Sequence, residues 1–295
     1  QRDYANTLRA ISGRYTKSFP SAHLTRDLTA NFRGRVSWST SFGRPPLSNL
    51  QPNETANETN QTLTINNPSL RPQTAENWDA ALEYYFEPVG NISVGWFHKK
   101  IEDYFVSGVQ TGTVGTGADN GYNGEYAGFT ILTRSNLGTA FVQGWEFSYR
   151  QQFAFLPGLL KSLAATVNFT VIDAHGNFGG TVNRTTGQVA GFTPRSGNII
   201  VSWRHRNLGA RVVTNYVGSY VRNFTAVGSG ANLYNRARTV VNAGVEYQFR
   251  PWLTFTLDSQ NIFNAVQSWY RGTPDQLAQV NIPGPTITFG VSGRF

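Results

Sequence analysis

The sequence predicts an all-β fold, a transmembrane antiparallel β-barrel, from three observations. Apolar and polar residues alternate with a period of two over many segments, which is the pattern of strands with one apolar and one polar face. The connections between segments alternate between short and long, as they do at the two ends of an outer-membrane barrel. The final segment, TITFGVSGRF, places Ile287, Phe289 and Val291 on one face and ends on Phe295. We therefore expect a closing strand that faces lipid, with Phe295 as the barrel-assembly terminus.

The composition of the 295-residue chain agrees with this class and excludes several others. The chain contains no cysteine, so disulfides, thiolate metal sites and cysteine catalysis are excluded. No apolar run approaches the length of a membrane-spanning helix, whereas the alternating strands of a barrel average out as polar. The formal charge is +8, but the arginines are scattered singly through strands, so we predict no nucleic-acid partner. Nucleophile motifs and phosphate loops do not occur, so we predict neither an enzyme nor a bound cofactor.

Eleven segments carry the strand pattern. The first, residues 14–28, is weakened by Pro20. The second covers residues 32–42, and the third, residues 76–87, alternates aromatic and aliphatic side chains with polar ones. The remaining predicted strands are 92–106, 131–152, 162–173, 197–205, 209–222, 238–249, 253–263 and 286–295. Six aromatic residues on the apolar faces predict an interfacial girdle. They are Trp78, Trp96, Trp145, Trp203, Tyr84 and Tyr149.

The connections fall into two classes. The short turns are 29–31, 88–91, 153–161, 206–208 and 250–252. The long connections, rich in Gly, Asn, Thr and Pro, are 43–75, 107–130, 174–196, 223–237 and 264–285. Eleven is an odd number, whereas single-chain bacterial barrels have an even number of strands, and lipid does not tolerate unpaired strand edges. We therefore expect residues 1–295 to be the C-terminal portion of a larger barrel.

Four passages of the chain resemble the TonB-dependent outer-membrane receptor family. They are VSWSTSFGRPPLSNLQP at 36–52, NPSLRPQTAENWDAALEYYFEPVGNISVGWFHKKIEDYF at 67–105, LTFTLDSQNIFNA at 253–265, and the terminal strand. The second is similar to the family's passage NP-L-P-E-xx-N-x-E-x-G-x-E-Y-Y-F, and the third is similar to its N-L-F-N hairpin. Ile262 stands where the family usually has Leu, and Ala75 stands where Ser or Thr is common. Neither difference changes the strand pattern.

The resemblance implies the C-terminal half of a barrel of about 22 strands, with the plug domain absent from this chain. It implies an outer-membrane receptor that binds a scarce nutrient at its extracellular loops. Import would be driven by the proton gradient through the TonB complex. The implied cargo is an oligosaccharide, an iron chelate or a cobalamin-like compound, and the passages look more like the family's glycan-oriented branch than like a siderophore receptor. The other implied partners are outer-membrane lipid and a surface lipoprotein that could cap the loops.

Two other functions stay open at this point. A passive porin-like channel would have the same class of barrel without a plug or energy coupling. A soluble extracellular carbohydrate-binding β protein would need no detergent. The outward aromatic faces and the alternation of loop lengths argue against the soluble protein, because a sandwich or a propeller has no reason to sort its loops in this way.

Six arginines are predicted to line the lumen near the short turns, where they could contact a plug. They are Arg33, Arg35, Arg150, Arg204, Arg211 and Arg294. The alternative explanation is the ordinary solvation of polar strand ends.

Seven loop aromatics are predicted to form a ligand-binding surface, because aromatic rings offer an apolar face to sugar rings or flat chelates. They are Tyr122, Tyr126, Phe178, Phe192, Tyr234, Trp269 and Tyr270. The alternative is that these rings pack within their own loops. Four oxygen-bearing residues in a Gly-rich loop, Asp119, Asn120, Asn123 and Glu125, suggest calcium. They lack EF-hand spacing, and a solvated loop is the alternative, so no metal site is predicted.

Overall fold

The computed structural model describes residues 16–177, 188–225 and 230–293. It contains strands and very little helix. In chain order, the strands are β1 (Ser21–Thr29), β2 (Phe32–Gly43), β3 (Glu54–Asn57), β4 (Thr62–Ile65), β5 (Gln73–Phe86), β6 (Gly90–Thr113), β7 (Thr130–Gln152), β8 (Leu163–Asn177), β9 (Arg195–His205), β10 (Leu208–Val217), β11 (Tyr220–Asn223), β12 (Leu233–Asn235), β13 (Arg238–Arg250), β14 (Leu253–Gln260), β15 (Gln267–Arg271), β16 (Leu277–Asn281) and β17 (Thr286–Gly293). A short helix α1 (Leu47–Leu50) and a 3₁₀ helix (Gly158–Ser162) complete the elements. Within the described ranges, neither helix has the length and apolar character needed to cross a membrane.

Eleven strands form one antiparallel path, in the order β1-β2-β5-β6-β7-β8-β9-β10-β13-β14-β17. These correspond one for one to the eleven predicted strands. The alternation of short and long connections is also confirmed. Along this path the first, third, fifth, seventh and ninth connections are short turns, and the connections between them are long. Neighbouring strands on the path are adjacent in the chain once the loop strands are set aside, as expected for an up-and-down barrel wall.

The strand register sorts side chains onto an apolar face and a polar face. Trp78 lies opposite Trp38 and His98 on its two neighbouring strands, and Trp96 lies opposite Trp145. Large apolar side chains on this face are exposed, including Leu82 at 49% and Trp145 at 49%. So many exposed apolar groups in a water-soluble protein would be unfavourable, whereas lipid solvates them. The six predicted girdle aromatics all lie on this apolar face.

Strand ends differ from the prediction where glycine or proline changes the backbone. β1 begins at Ser21, directly after Pro20, and residues 16–20 are not strand. β6 continues to Thr113, past the predicted end at 106, because register shifts near Asp103 and Gly108 let pairing with β7 resume. The predicted loop 43–75 contains the hairpin of β3 and β4, and β4 adds to β7 as a parallel partner.

A second sheet corrects the prediction for two long loops and one strand end. The order β11-β12-β15-β16 joins segments from the predicted loops 223–237 and 264–285 with the end of the predicted strand 209–222. The main-sheet strand β10 stops at Val217, opposite the start of its partner β9, and the backbone N–H of Gly218 makes the last hydrogen bond there, to the carbonyl oxygen of Arg195. Strands of three to five residues are too short to show a clear period in the sequence.

The passage 253–265 owes its structure to Asn261, which is buried and has a positive φ of 53°. Its backbone N–H donates to the Oδ1 atom of Asn242, and its own Oδ1 atom accepts from the backbone of Ala265. Its Nδ2 atom donates to the carbonyl of Gly284. Asparagine tolerates this left-handed backbone better than most residues. β14 therefore ends at Gln260, three residues before the predicted end at 263.

Candidate functional site

Five of the six predicted arginines lie on the polar face near the short turns, and four of these five form ion pairs within the wall. The pairs are Arg33–Asp27 at 2.6 Å, Arg35–Glu83 at 3.3 Å, Arg204–Glu246 at 3.1 Å and Arg211–Asp258 at 2.9 Å. We call these four pairs the paired layer. Arg150 is on the same face and forms no ion pair with any residue that the structure describes. Arg294 and Phe295 lie outside the described residues.

Two pairs of the paired layer reach across a glycine on the strand between their partners. Arg204 and Glu246 both lie opposite Gly209, and a Cβ there would be 2.7 Å from the Cγ atom of Glu246. Arg211 and Asp258 span Gly244 in the same way. An open slot of about 430 Å³ lies over these two glycines. The glycines let charges two strands apart meet, so the arginine charge near the turns is compensated inside the wall.

The aromatic residues of the two C-terminal loops are used within the second sheet. The rings of Tyr234 and Tyr270 stack with centroids 5.1 Å apart and an interplanar angle of 7°. The guanidinium of Arg222 lies 4.8 Å from the centre of the Trp269 ring. Trp269 is 8% exposed and Tyr270 is 9% exposed. Such burial favours packing within the loops over an open stacking platform at these two residues.

The aromatics of the loop between β6 and β7 also pack against one another. Tyr122 and Tyr126 meet edge to face at 5.7 Å, and the Tyr122 hydroxyl donates to Glu54 at 3.0 Å. Asn120, one of the residues that suggested calcium, instead organises this loop. Its Oδ1 atom accepts from the backbone of Tyr122, and its Nδ2 atom donates to the carbonyl of Glu125. No cluster of three or more metal-ligating side chains occurs among residues 16–177, 188–225 and 230–293.

Phe192 lies apart from the other loop aromatics, against the wall. Ile101, Ala140, Val142 and Ala174 form a buried apolar cluster on the otherwise polar face, and Val189 packs into it with 3% exposure. Phe192 packs against the same cluster. The segment 188–194 is fixed by backbone hydrogen bonds from Gly191 to Val221 and from Ile172 to Pro194. This loop segment therefore folds over the polar face. Phe178 lies outside the described residues.

Phe192 borders an open groove of about 590 Å³ in the middle of the polar face. We call it the polar-face groove and define it by six of its lining residues. They are Ser39, Asn77, Asp79, Lys99, Glu146 and Phe192. Lys99 and Glu146 form no ion pair among the described residues, and the buried Oδ1 atom of Asn77 accepts no hydrogen bond there. Except for Phe192, sequence reasoning missed these residues, because only the register of four strands brings them together.

A family comparison identifies this architecture. Residues 1–265 match the family model described as TonB dependent receptor-like, beta-barrel. The chain therefore belongs to the TonB-dependent receptor β-barrel family, whose members are receptors of the bacterial outer membrane and not enzymes. The resemblance, the barrel fold and the outer-membrane location expected from the sequence are confirmed by this match.

Solved structures share the fold at low sequence identity. The ferric enterobactin receptor PfeA of Pseudomonas aeruginosa, as the G324V mutant, matches with a TM-score of 0.69 and 17% identity, covering 94% of this chain and 40% of its own. The siderophore receptor PirA of Acinetobacter baumannii matches with a TM-score of 0.61 and 21% identity, and the match covers 83% of this chain and 37% of PirA. The unliganded ferric citrate transporter FecA matches with a TM-score of 0.62 and 14% identity, and the match covers 93% of this chain and 38% of FecA. The chain thus spans about 40% of the length of PfeA. No curated protein sequence matches it significantly.

Proposed function

We propose that this chain is part of an outer-membrane receptor that imports a scarce nutrient with energy supplied through TonB. The observation that carries the proposal is the family match over residues 1–265, on a wall whose two faces suit lipid and an aqueous lumen. The cargo classes are those implied by the sequence: an oligosaccharide, an iron chelate or a cobalamin-like compound. The preference for a glycan stays a prediction, since neighbours at 14–21% identity support the fold alone.

We further propose that residues 1–295 form the C-terminal portion of a larger barrel that holds a plug. The coverage of about 40% of the ferric enterobactin receptor's length supports this. A plug at the short-turn end would meet the paired layer and Arg150. Each paired guanidinium keeps N–H donors for a further acceptor, because Arg carries five of them.

The loop aromatics that remain partly exposed are proposed to contact the cargo. They are Tyr122, Tyr126, Phe192 and Tyr234. A capping lipoprotein stays a prediction.

Uptake in energised and de-energised cells tests the receptor function. The full-length receptor would be expressed in a host that lacks its own uptake systems for labelled oligosaccharides, ferric citrate and cobalamin. We expect uptake of one cargo class, and we expect deletion of TonB to abolish it. Uptake that continues at the same rate without TonB would instead indicate a passive, porin-like channel.

The contact between arginines and plug has its own test. Charge reversal of Arg150 together with Arg204 and Arg211 is expected to weaken plug retention, measured as protease sensitivity of the plug in purified receptor. The matched control reverses Arg26 and Arg44, exposed arginines outside this set. Unchanged plug retention and transport in the triple variant would refute the contact.

A further inference from the structure

The polar-face groove combines aromatic and hydrogen-bonding groups in a way that the rest of the polar face does not. The tip of the Phe97 ring lies beside Gly144, where a Cβ would be 2.9 Å from the ring, so the glycine leaves room for the ring against the wall. Phe192 approaches from the folded loop and packs on the same apolar cluster. Two half-buried rings therefore border the groove, and their faces can contact the C–H face of a sugar ring.

The other lining groups offer both donors and acceptors. Asn77 donates from Nδ2 to the Ser39 and Ser41 side chains at 3.3 and 3.2 Å, and its buried Oδ1 atom accepts no hydrogen bond from the described part of the chain. From the residues that the structure describes, Asp79 accepts a single hydrogen bond, from Ser37 at 3.3 Å. A hydroxyl group is both donor and acceptor, so a hydroxyl-rich ligand can satisfy the carboxylates and the Lys99 ammonium together.

The charge of the groove selects against anions. Two carboxylates, Asp79 and Glu146, face a single ammonium, Lys99. Like charges brought together across a partly desolvated site cost free energy, so an anionic metal chelate would be disfavoured here. The volume of about 590 Å³ falls within the range of small-molecule sites.

We propose that the polar-face groove binds an uncharged oligosaccharide segment as it passes through the barrel. This proposal rests on the proposed receptor function, because it names the class of cargo. Phe192 and Phe97 stack on sugar rings, and Asp79, Lys99 and Glu146 bind their hydroxyl groups.

Binding to the purified full-length receptor tests the proposal. The probes are fluorescently labelled xylo-, cello- and malto-oligosaccharides, with ferric citrate as the anionic comparison. Phe192→Ala is expected to weaken oligosaccharide binding about tenfold through loss of a stacked ring. Asp79→Asn keeps shape and exposure, and it is expected to weaken binding about fivefold through loss of a charge-assisted hydrogen bond. The controls Phe155→Ala and Glu87→Gln, at the short-turn end, are expected to change binding by less than about twofold.

The sign of the Asp79→Asn effect decides between the two ligand chemistries. Weaker oligosaccharide binding supports the proposal, while stronger ferric citrate binding with no bound oligosaccharide overturns it. Unchanged oligosaccharide affinity in both groove variants also overturns it. Receptor function is read separately from TonB dependence of uptake: TonB-dependent import of ferric citrate alone would keep the receptor function and refute this inference. The opposite result is oligosaccharide binding that depends on the groove residues together with uptake that continues without TonB. It would support this inference and refute the receptor function.

Discussion

The paired layer and the polar-face groove are two regions of the polar face that use their charged residues differently. At the short-turn end, Arg33, Arg35, Arg204 and Arg211 each meet a carboxylate within the wall. In the polar-face groove, Lys99 and Glu146 form no ion pair in the described part of the chain. The difference shows that a charged lumen-facing residue is a good ligand-contact candidate only when the wall does not already compensate it.

Glycine creates both regions. Gly209 and Gly244 let charged side chains meet across a strand in the paired layer, whereas Gly144 lets the Phe97 ring lie along the groove. A glycine therefore allows charge compensation in the paired layer and gives room for an aromatic ring in the groove.

The largest effect is expected from filling the glycine beneath the groove. Gly144→Val would place a Cβ against the carbonyl oxygen of Val171 and the Phe97 ring, so β7 and β8 could not pair as they do. We expect the free energy of unfolding to fall by more than about 3 kcal/mol, which is enough to lower the amount of folded barrel in the outer membrane. Heat-modifiable mobility on SDS gels measures this. Gly95→Ala is the matched control, since its Cβ would have no neighbour closer than 3.9 Å. Equal folding of both variants would contradict the close approach at Gly144.

A middle-sized effect is expected where the loop is anchored beside the groove. Val189→Ala removes apolar contacts from a side chain that is 3% exposed. We expect a local loss of about 2 kcal/mol, which frees the segment 188–194 and raises protease cleavage there without unfolding the wall. Val266→Ala, at a site 42% exposed, is the control. Cleavage that stays at the wild-type rate would show that the loop is held by other contacts.

The smallest effect is expected in the paired layer. The Arg211–Asp258 pair has side-chain exposures of 64% and 38%, so solvent screens it. A double-mutant cycle with Arg211→Gln and Asp258→Asn should give a coupling energy below about 1 kcal/mol in denaturant unfolding of the detergent-solubilised receptor. The same cycle on Lys99→Gln and Glu146→Gln should give no measurable coupling. A larger coupling energy between Lys99 and Glu146 than between Arg211 and Asp258 would contradict the conclusion that charges are compensated in the paired layer and not in the groove.

The sequence was sufficient for the wall and insufficient for the loops. Alternation predicts β5 and its apolar face because each residue there faces lipid or lumen independently of distant contacts. The second sheet was missed because β12 and β15 are stabilised by pairing across about 35 residues and by the stacked Tyr234 and Tyr270. The lumen-facing arginines could be placed on their face, but their carboxylate partners depend on register across neighbouring strands.

The groove shows the same limit. Phe192 could be singled out as a loop aromatic, yet its place on the wall depends on how the segment 188–194 folds over Ile101 and Val142. Asn77, Asp79 and Lys99 read as ordinary polar residues of two strands until the register sets them side by side. The period of the sequence pattern predicts which face of the sheet a residue lies on. Which residues of different strands meet in a site depends on the register between those strands.

The most direct test of the account is whether the two faces of the wall meet different environments. The chain has no cysteine, so single cysteines from position 77 to 84 on β5 can carry a nitroxide label in the full-length receptor in liposomes. We predict that collision with molecular oxygen alternates with a period of two, high at Trp78, Ala80, Leu82 and Tyr84 and low at Asn77, Asp79, Ala81 and Glu83. Uniform accessibility along β5, or the opposite alternation, would contradict the assignment of the apolar face to lipid.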